Sequence, residues 1–314
     1  MRDKIIEGER LNYKEAVAFI TNSSDETLYS LAKELREHFL GRNFGTCMIM
    51  NAKSGRCSED CKWCSQSKYH QTDVEVYDLV KESETLAQAK LAEEKGVHRF
   101  SLVTSGRKLS PKQVKEAAIL YKRAQEEHPN VSYCASMGLL NKAELQDLYD
   151  AGVRRYHCNI ETAPSHFPSL CSTHTQAEKM QTINWAREVG MDICSGGIIG
   201  MGESEEQRIE MACYLQEMGV QSIPLNILIP IQGTQMQDTP ALSDRELLRT
   251  FALFRIINPT ADIRLAGGRV RIQHIQDQAL ECGISSSMVG NLLTTNGLAI
   301  DEDIKHIKSL NYNL

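Results

Sequence analysis

Three cysteines stand in the stretch Cys57-Ser58-Glu59-Asp60-Cys61-Lys62-Trp63-Cys64. Thiolates spaced C-x3-C-x2-C can hold three irons of a four-iron cube and leave the fourth iron without a protein ligand. Iron–sulfur electron carriers are usually closed by four cysteines, so an open iron points instead to chemistry on a molecule bound there. A structural zinc site normally closes with four ligands and pairs C-x2-C knuckles, which this segment does not do. A Cys3His zinc site completed by a neighbour such as His70 is the lesser alternative. A disulfide would leave one thiol over and would need an oxidising compartment.

Such a loop needs a frame. Short apolar or β-branched runs at 46–50, 99–103, 132–135, 156–160, 192–198, 222–228, 262–265 and 286–289 read as strands. Amphipathic stretches at 79–95, 111–127, 142–151, 176–189, 205–218 and 244–257 alternate with them as helices. Gly96, Gly152, Gly190 and Gly219 each follow a helical stretch and precede a strand, where a left-handed residue stops the helix. Eight units of this kind predict an α/β fold of the (β/α)8 TIM-barrel type, with a doubly wound parallel sheet as the alternative. Residues 11–40 read as helices placed before the first strand. The cysteine loop follows that strand, at the carboxyl end where barrel chemistry gathers.

Composition narrows the function classes. The 314 residues carry a formal charge of -6 and only 6% aromatics, which gives no support to nucleic-acid binding. No run approaches the roughly 18 apolar residues of a spanning helix, and the start Met1-Arg2-Asp3-Lys4 is not a secretory signal. Ten cysteines without such a signal predict a reducing cytoplasm in which thiols serve metals or catalysis. No linker interrupts the chain, so it reads as one domain over 1–314: helices at 1–43, barrel at 44–295, and a C-terminal segment at 296–314.

Residues 51–67 around the triad resemble the cluster loop of the biotin synthase family of radical S-adenosylmethionine (SAM) enzymes. Further matches are Tyr156-His157-Cys158-Asn159-Ile160-Glu161-Thr162, the stretch 194–203 (CSGGIIGMGE), Pro224-Leu225-Asn226 and the stretch 263–269 (IRLAGGR). The similarity runs in order from about Asn51 to Thr295. It implies that Cys57, Cys61 and Cys64 bind a [4Fe-4S] cluster whose fourth iron SAM chelates. It implies cleavage of SAM to a 5′-deoxyadenosyl radical, hydrogen abstraction from dethiobiotin, and sulfur supplied by an auxiliary iron–sulfur cluster in two rounds. It also assigns Trp63, Glu161, Gly196, Ile198, Gly200 and Glu203 to SAM, and Asn159 and Asn226 to the substrate. Family members commonly carry Asp where this chain has Glu161. Expected partners are dethiobiotin and a reductant such as flavodoxin or ferredoxin, in a homodimer, with no nucleic acid and no membrane.

The auxiliary ligands depart from the family pattern of three barrel cysteines and one arginine around a [2Fe-2S] cluster. Cys134, Cys194 and Arg264 match three of these, with Arg264 also the catalytic arginine. The strand-2 position holds Ser101, whose hard oxygen is a poor cluster ligand. Cys47 on strand 1 is the leading replacement, because Cys47, Cys134, Cys194 and Arg264 would all come from odd-numbered strands, as one interior layer does. Cys171 and Cys158 compete, the latter expected to point away from Asn159. Cys213 and Cys282 read as packing residues. The changed set predicts either [2Fe-2S] or a four-iron variant. The alternative functions are a related radical SAM enzyme without sulfur insertion, of the methylornithine or hydrogenase-maturase kind, and a non-catalytic iron–sulfur or zinc protein.

Overall fold

The computed structural model describes residues 1–290 and 299–314. The expected boundary at 295/296 between barrel and C-terminal segment lies outside the described residues. Among the described residues nine parallel strands are β1 (Gly45–Lys53), β2 (Arg99–Thr104), β3 (Ser132–Ser136), β4 (Val153–His157), β5 (Asp192–Cys194), β6 (Gly197–Ile199), β7 (Ser222–Ile227), β8 (Asp262–Leu265) and β9 (Ser286–Met288). β1 pairs with both β2 and β9, and β5 pairs with both β4 and β7, so the sheet closes. β6 continues β5 along the edge of β7, which makes the pair one interrupted fifth strand. The result is the eight-stranded parallel barrel predicted from the sequence, and closure removes the doubly wound alternative.

Helices α1 (Arg2–Ile6), α2 (Tyr13–Asn22) and α3 (Asp25–Leu40) precede the barrel. Around it run α4 (Glu82–Glu94), α5 (Pro111–Glu127), α6 (Lys142–Asp150), α7 (Gln176–Glu188), α8 (Glu205–Glu217), α9 (Asp244–Ile257), α10 (Gln276–Glu281) and α11 (Ile300–Ser309). Their starts are written locally. Asn12, Ser110, Asn141, Thr175, Ser204 and Ser243 each accept a bond from the third helical N–H, and Glu or Gln at that position bonds back. Their ends are local too: Gly96, Gly152, Gly190 and Gly219 all have positive φ. α4 starts later than expected, because Val80 N–H is bonded to Ala52 O and holds 79–81 against the end of β1.

Two strands differ from expectation. The fourth was expected at 156–160 but ends at His157. Beyond it Cys158 N–H still reaches Cys194 O, and Glu161, at φ 72°, rejoins the sheet opposite Gly197. The fifth breaks at Ser195-Gly196. A Cβ on Gly196 would collide with Pro224 O, and one on Gly197 with Glu161 O. Only glycine lets three backbones meet that closely.

Two buried arginines fasten the ends of the chain. Arg249 of α9 binds Asp25 at 2.6 Å, Glu205 at 2.7 Å and Ile20 O at 3.0 Å, which joins α2, α3 and α8. Arg269 binds Asp303 of α11 at 2.7 Å and also the Met288 carbonyl at the end of β9.

Candidate active site

The barrel encloses a cavity of about 440 Å3 that opens at the carboxyl ends of the strands. Cys57, Cys61 and Cys64 border it together with Trp63. Their loop is shaped by backbone bonds: Cys57 N–H donates to Gln66 O (2.8 Å), Lys68 N–H to Cys57 O (2.8 Å) and Cys64 N–H to Cys61 O (3.0 Å). Gly55 and Arg56, both at positive φ, turn the chain out of β1, and Gln66 Oε1 accepts the Gly55 N–H at 2.9 Å. All three thiols are free of disulfides. Burial pushes Cys57 up, and Cys64 up to about 11. Cys61 is also held up, first by its bond to Cys171 and then by burial. Three soft, mutually unbonded sulfurs in one preformed loop fit a cluster that would remove their protons.

Deeper in the barrel, Cys47, Cys134, Cys194 and Arg264 border the same cavity from β1, β3, β5 and β8, all 4–6% exposed. Arg264 Nη1 lies 3.6 Å from Cys194 Sγ, and its Nη2 binds Asp262 at 2.7 Å. Ser101 also faces this space as the register partner of Cys134, while Cys47 is opposite Arg99. Burial raises Cys47 to about 12. Cys194 behaves differently. Burial raises it too, but His157 Nδ1 at 3.2 Å, with Arg264 and Arg155, brings it down to about 6. Arg99, Arg155 and His157 also line this space. Arg155 and Arg264 each keep a buried Nε–H with no acceptor. Excess cation and unpaired donors around three thiols fit an anionic sulfur cluster.

Between these two levels stand the residues expected to meet small molecules. Asn159, Glu161, Ile198 and Asn226 all border the cavity. Asn159 Oδ1 accepts the Gly196 N–H (3.0 Å), and Asn226 is held by Gly197 O (3.0 Å) and Gly267 N–H (2.8 Å). Both amides are thus fixed in orientation. Neither Asn159 nor Glu161 lies on a regular strand, because β4 has already ended. For the same reason Cys158 borders the cavity, against the outward direction that strand alternation gave it. Gly196, Gly200 and Glu203 do not border it. Glu203 instead accepts the Gly200 and Met201 N–H groups at 2.7 Å each and shapes the turn after β6. The close approach expected of Gly196 is made to Pro224 and not to the cavity.

Cys171 sits beside Cys61, Sγ to Sγ 3.6 Å, away from the deep thiols. Cys213 and Cys282 are packed in the apolar core as expected. The sequence reading missed Arg99, Arg155 and His157; Arg155 precedes the strand expected at 156–160, and the adjacent Arg154 and Arg155 give no alternation that says which one faces inward. It also missed Lys179 of α7, which lies 3.8 Å from Glu161. Burial opposes the Lys179 charge, but Glu161 and Cys158 hold its pKa up.

A family model for the radical SAM superfamily matches residues 52–215, and one for the Biotin and Thiamin Synthesis associated domain matches residues 224–313. The chain is 48% identical over 314 residues to the biotin synthase of Parabacteroides distasonis, covering 100% of this chain and 96% of that one. It is 48% identical over 306 residues to the biotin synthase of Porphyromonas gingivalis, covering 97% and 92%. The crystal structure of methylornithine synthase superposes with a TM-score of 0.85 over 99% of this chain and 96% of that one, at 17% identity, a likeness of fold alone. Whole-length identity of this order, carried by a barrel with the triad at its mouth, means that the chain belongs to the biotin synthase family of radical SAM enzymes.

Proposed function

We propose that this chain inserts sulfur into dethiobiotin to give biotin, with two SAM cleavages per turnover. One observation carries the reading: a single cavity joins the triad Cys57, Cys61 and Cys64 to a second, deeper thiol set beside Arg264, with two fixed asparagines between them. When bound, a [4Fe-4S] cluster with SAM supplies a radical able to take hydrogen from unactivated carbon, and an auxiliary iron–sulfur cluster supplies sulfur.

The protein's share is holding, orienting and drying. Cys57, Cys61 and Cys64 hold the first cluster. Trp63 and Ile198, packed on Leu170, Met201, Leu228 and Met236, keep water from that end of the cavity. Glu161, paired to Lys179, is the acceptor for a ribose hydroxyl. Asn159 and Asn226 present oriented amides to the ureido ring, at no reorganisation cost because backbone groups already hold them. Gly200 and Glu203 support SAM indirectly, through the turn after β6, while Gly196, at the break before β6, holds Asn159. Cys47, Cys134, Cys194 and Arg264 hold the auxiliary cluster, in which the soft thiolate at 47 replaces the ligand that Ser101 cannot provide. This ligand set favours a four-iron cluster over [2Fe-2S]. A homodimer in a reducing cytoplasm, served by flavodoxin or ferredoxin, completes the reading. Among the described residues no helix is long and apolar enough to cross a membrane.

Anaerobic incubation with reductant, SAM and dethiobiotin tests it. Biotin is the expected product. 5′-Deoxyadenosine without biotin would leave a radical SAM enzyme of another specificity, and neither product would leave a non-catalytic metal protein.

A further inference from the structure

The segment Cys171-Ser172-Thr173-His174, just before α7, is fastened onto the cysteine loop. Asp60 accepts the Ser172 N–H at 2.9 Å and the Thr173 N–H at 3.2 Å, and Lys62 N–H donates to Leu170 O at 3.0 Å. Arg107 bridges Thr173 O (2.6 Å) and Glu59 (3.3 Å). These ties bring three metal-type ligands together. Cys61 Sγ is 3.6 Å from Cys171 Sγ, which is 3.3 Å from His174 Nδ1, and the three ligand atoms all lie within 4.8 Å of one another. Cys171 is 6% and His174 7% exposed. Glu59 Oε2 stands 2.8 Å from His174 Nδ1.

The Cys61–Cys171 and Cys171–His174 separations suit two edges of a tetrahedron around one ion. With bonds of roughly 2.3 Å to sulfur and 2.0–2.1 Å to nitrogen, both edges subtend about 100° at a shared metal. Two thiolates and a neutral imidazole also balance a dipositive ion, and Glu59 or water is available for the fourth position. Cys57 and Cys64 take no part.

We propose that the cluster-free protein binds one borderline-soft divalent ion, such as Zn2+, at Cys61, Cys171 and His174. Granting that Cys61 is a ligand of the radical-generating cluster, ion and cluster exclude each other, because both require its sulfur. The ion is thus a placeholder that holds the mouth loops together until the cluster is loaded, and an excess of it is an inhibitor of loading.

Co2+ titration of the full-length, cluster-free protein under anaerobic reducing conditions tests the site through the thiolate-to-cobalt absorption band. One equivalent is expected to bind. C171A and H174A should weaken binding at least tenfold, and C57A and C64A should leave it unchanged. The reverse pattern, with binding lost in C57A or C64A and kept in C171A, would put the ion in the triad and overturn the proposal, as would the absence of tight binding. Zn2+ at one equivalent should slow iron–sulfide reconstitution of the native protein and not of C171A. Equal slowing in both overturns the exclusion. Reconstitution of C171A alone shows that the variant folds. Cluster loss in C57A and C64A tests the triad assignment separately.

Discussion

At the scale of single residues, the deep thiols are unequal. Cys194 sits against a histidine and two arginines, while Cys47 is raised by burial and relies on Arg264 and Arg155 to become a thiolate. A ligand that is hard to ionise alone is gained only with the metal, so its removal should empty the auxiliary site selectively. The expected result for C47A is loss of the auxiliary iron and sulfide with the triad's cluster retained, read by iron and sulfide analysis beside a C57A/C61A/C64A protein. Combining C47S with S101C should restore part of that content, since residue 101 faces the same space as the partner of Cys134. Unchanged iron in C47A would remove Cys47 from the ligand set.

Among elements, the break in the fifth strand deserves the sharpest test. A methyl at position 196 must displace the Pro224 carbonyl, and overpacking of this kind costs about 1–3 kcal/mol or more. G196A should therefore lower the urea midpoint. It should also weaken substrate binding more than SAM binding, because Gly196 N–H holds Asn159. Equal loss of both affinities would refute the link through Asn159. This element also marks where the sequence stopped being legible. Periodicity and helix-ending glycines located the eight units because those signals are local: a cap needs four residues and a helix stop needs one. The kink at Ser195-Gly196 and the early end of β4 arise from contacts between strands distant in sequence, which no local pattern carries. Cys57, Cys61 and Cys64 were readable because eight residues contain the whole motif. Arg155 and His157 were not, since their inward direction depends on where β4 starts. The Cys61–Cys171 contact spans 110 residues and only the folded chain displays it.

For the whole molecule, the buried Arg269–Asp303 pair ties the last helix to the barrel. Asp303 is 1% exposed, so D303N leaves a buried guanidinium without its counter-charge. Breaking a buried pair in this way costs about 3–5 kcal/mol. For a chain of this length that is a fall in Tm of several degrees, which differential scanning calorimetry would measure. A Tm within one degree of the native value would show that the tie contributes little. Arg269 belongs to the stretch 263–269 by which the family was recognised, yet its partners here are structural.

The two thiol sets also differ in when they exist. One is complete within eight consecutive residues, so a chain leaving the ribosome carries it long before half of the barrel has been made. The other draws on four strands from Cys47 to Arg264 and comes into being only as the barrel closes. The first set thus exists in any chain long enough to include Cys64, whereas the second reports that the barrel has closed.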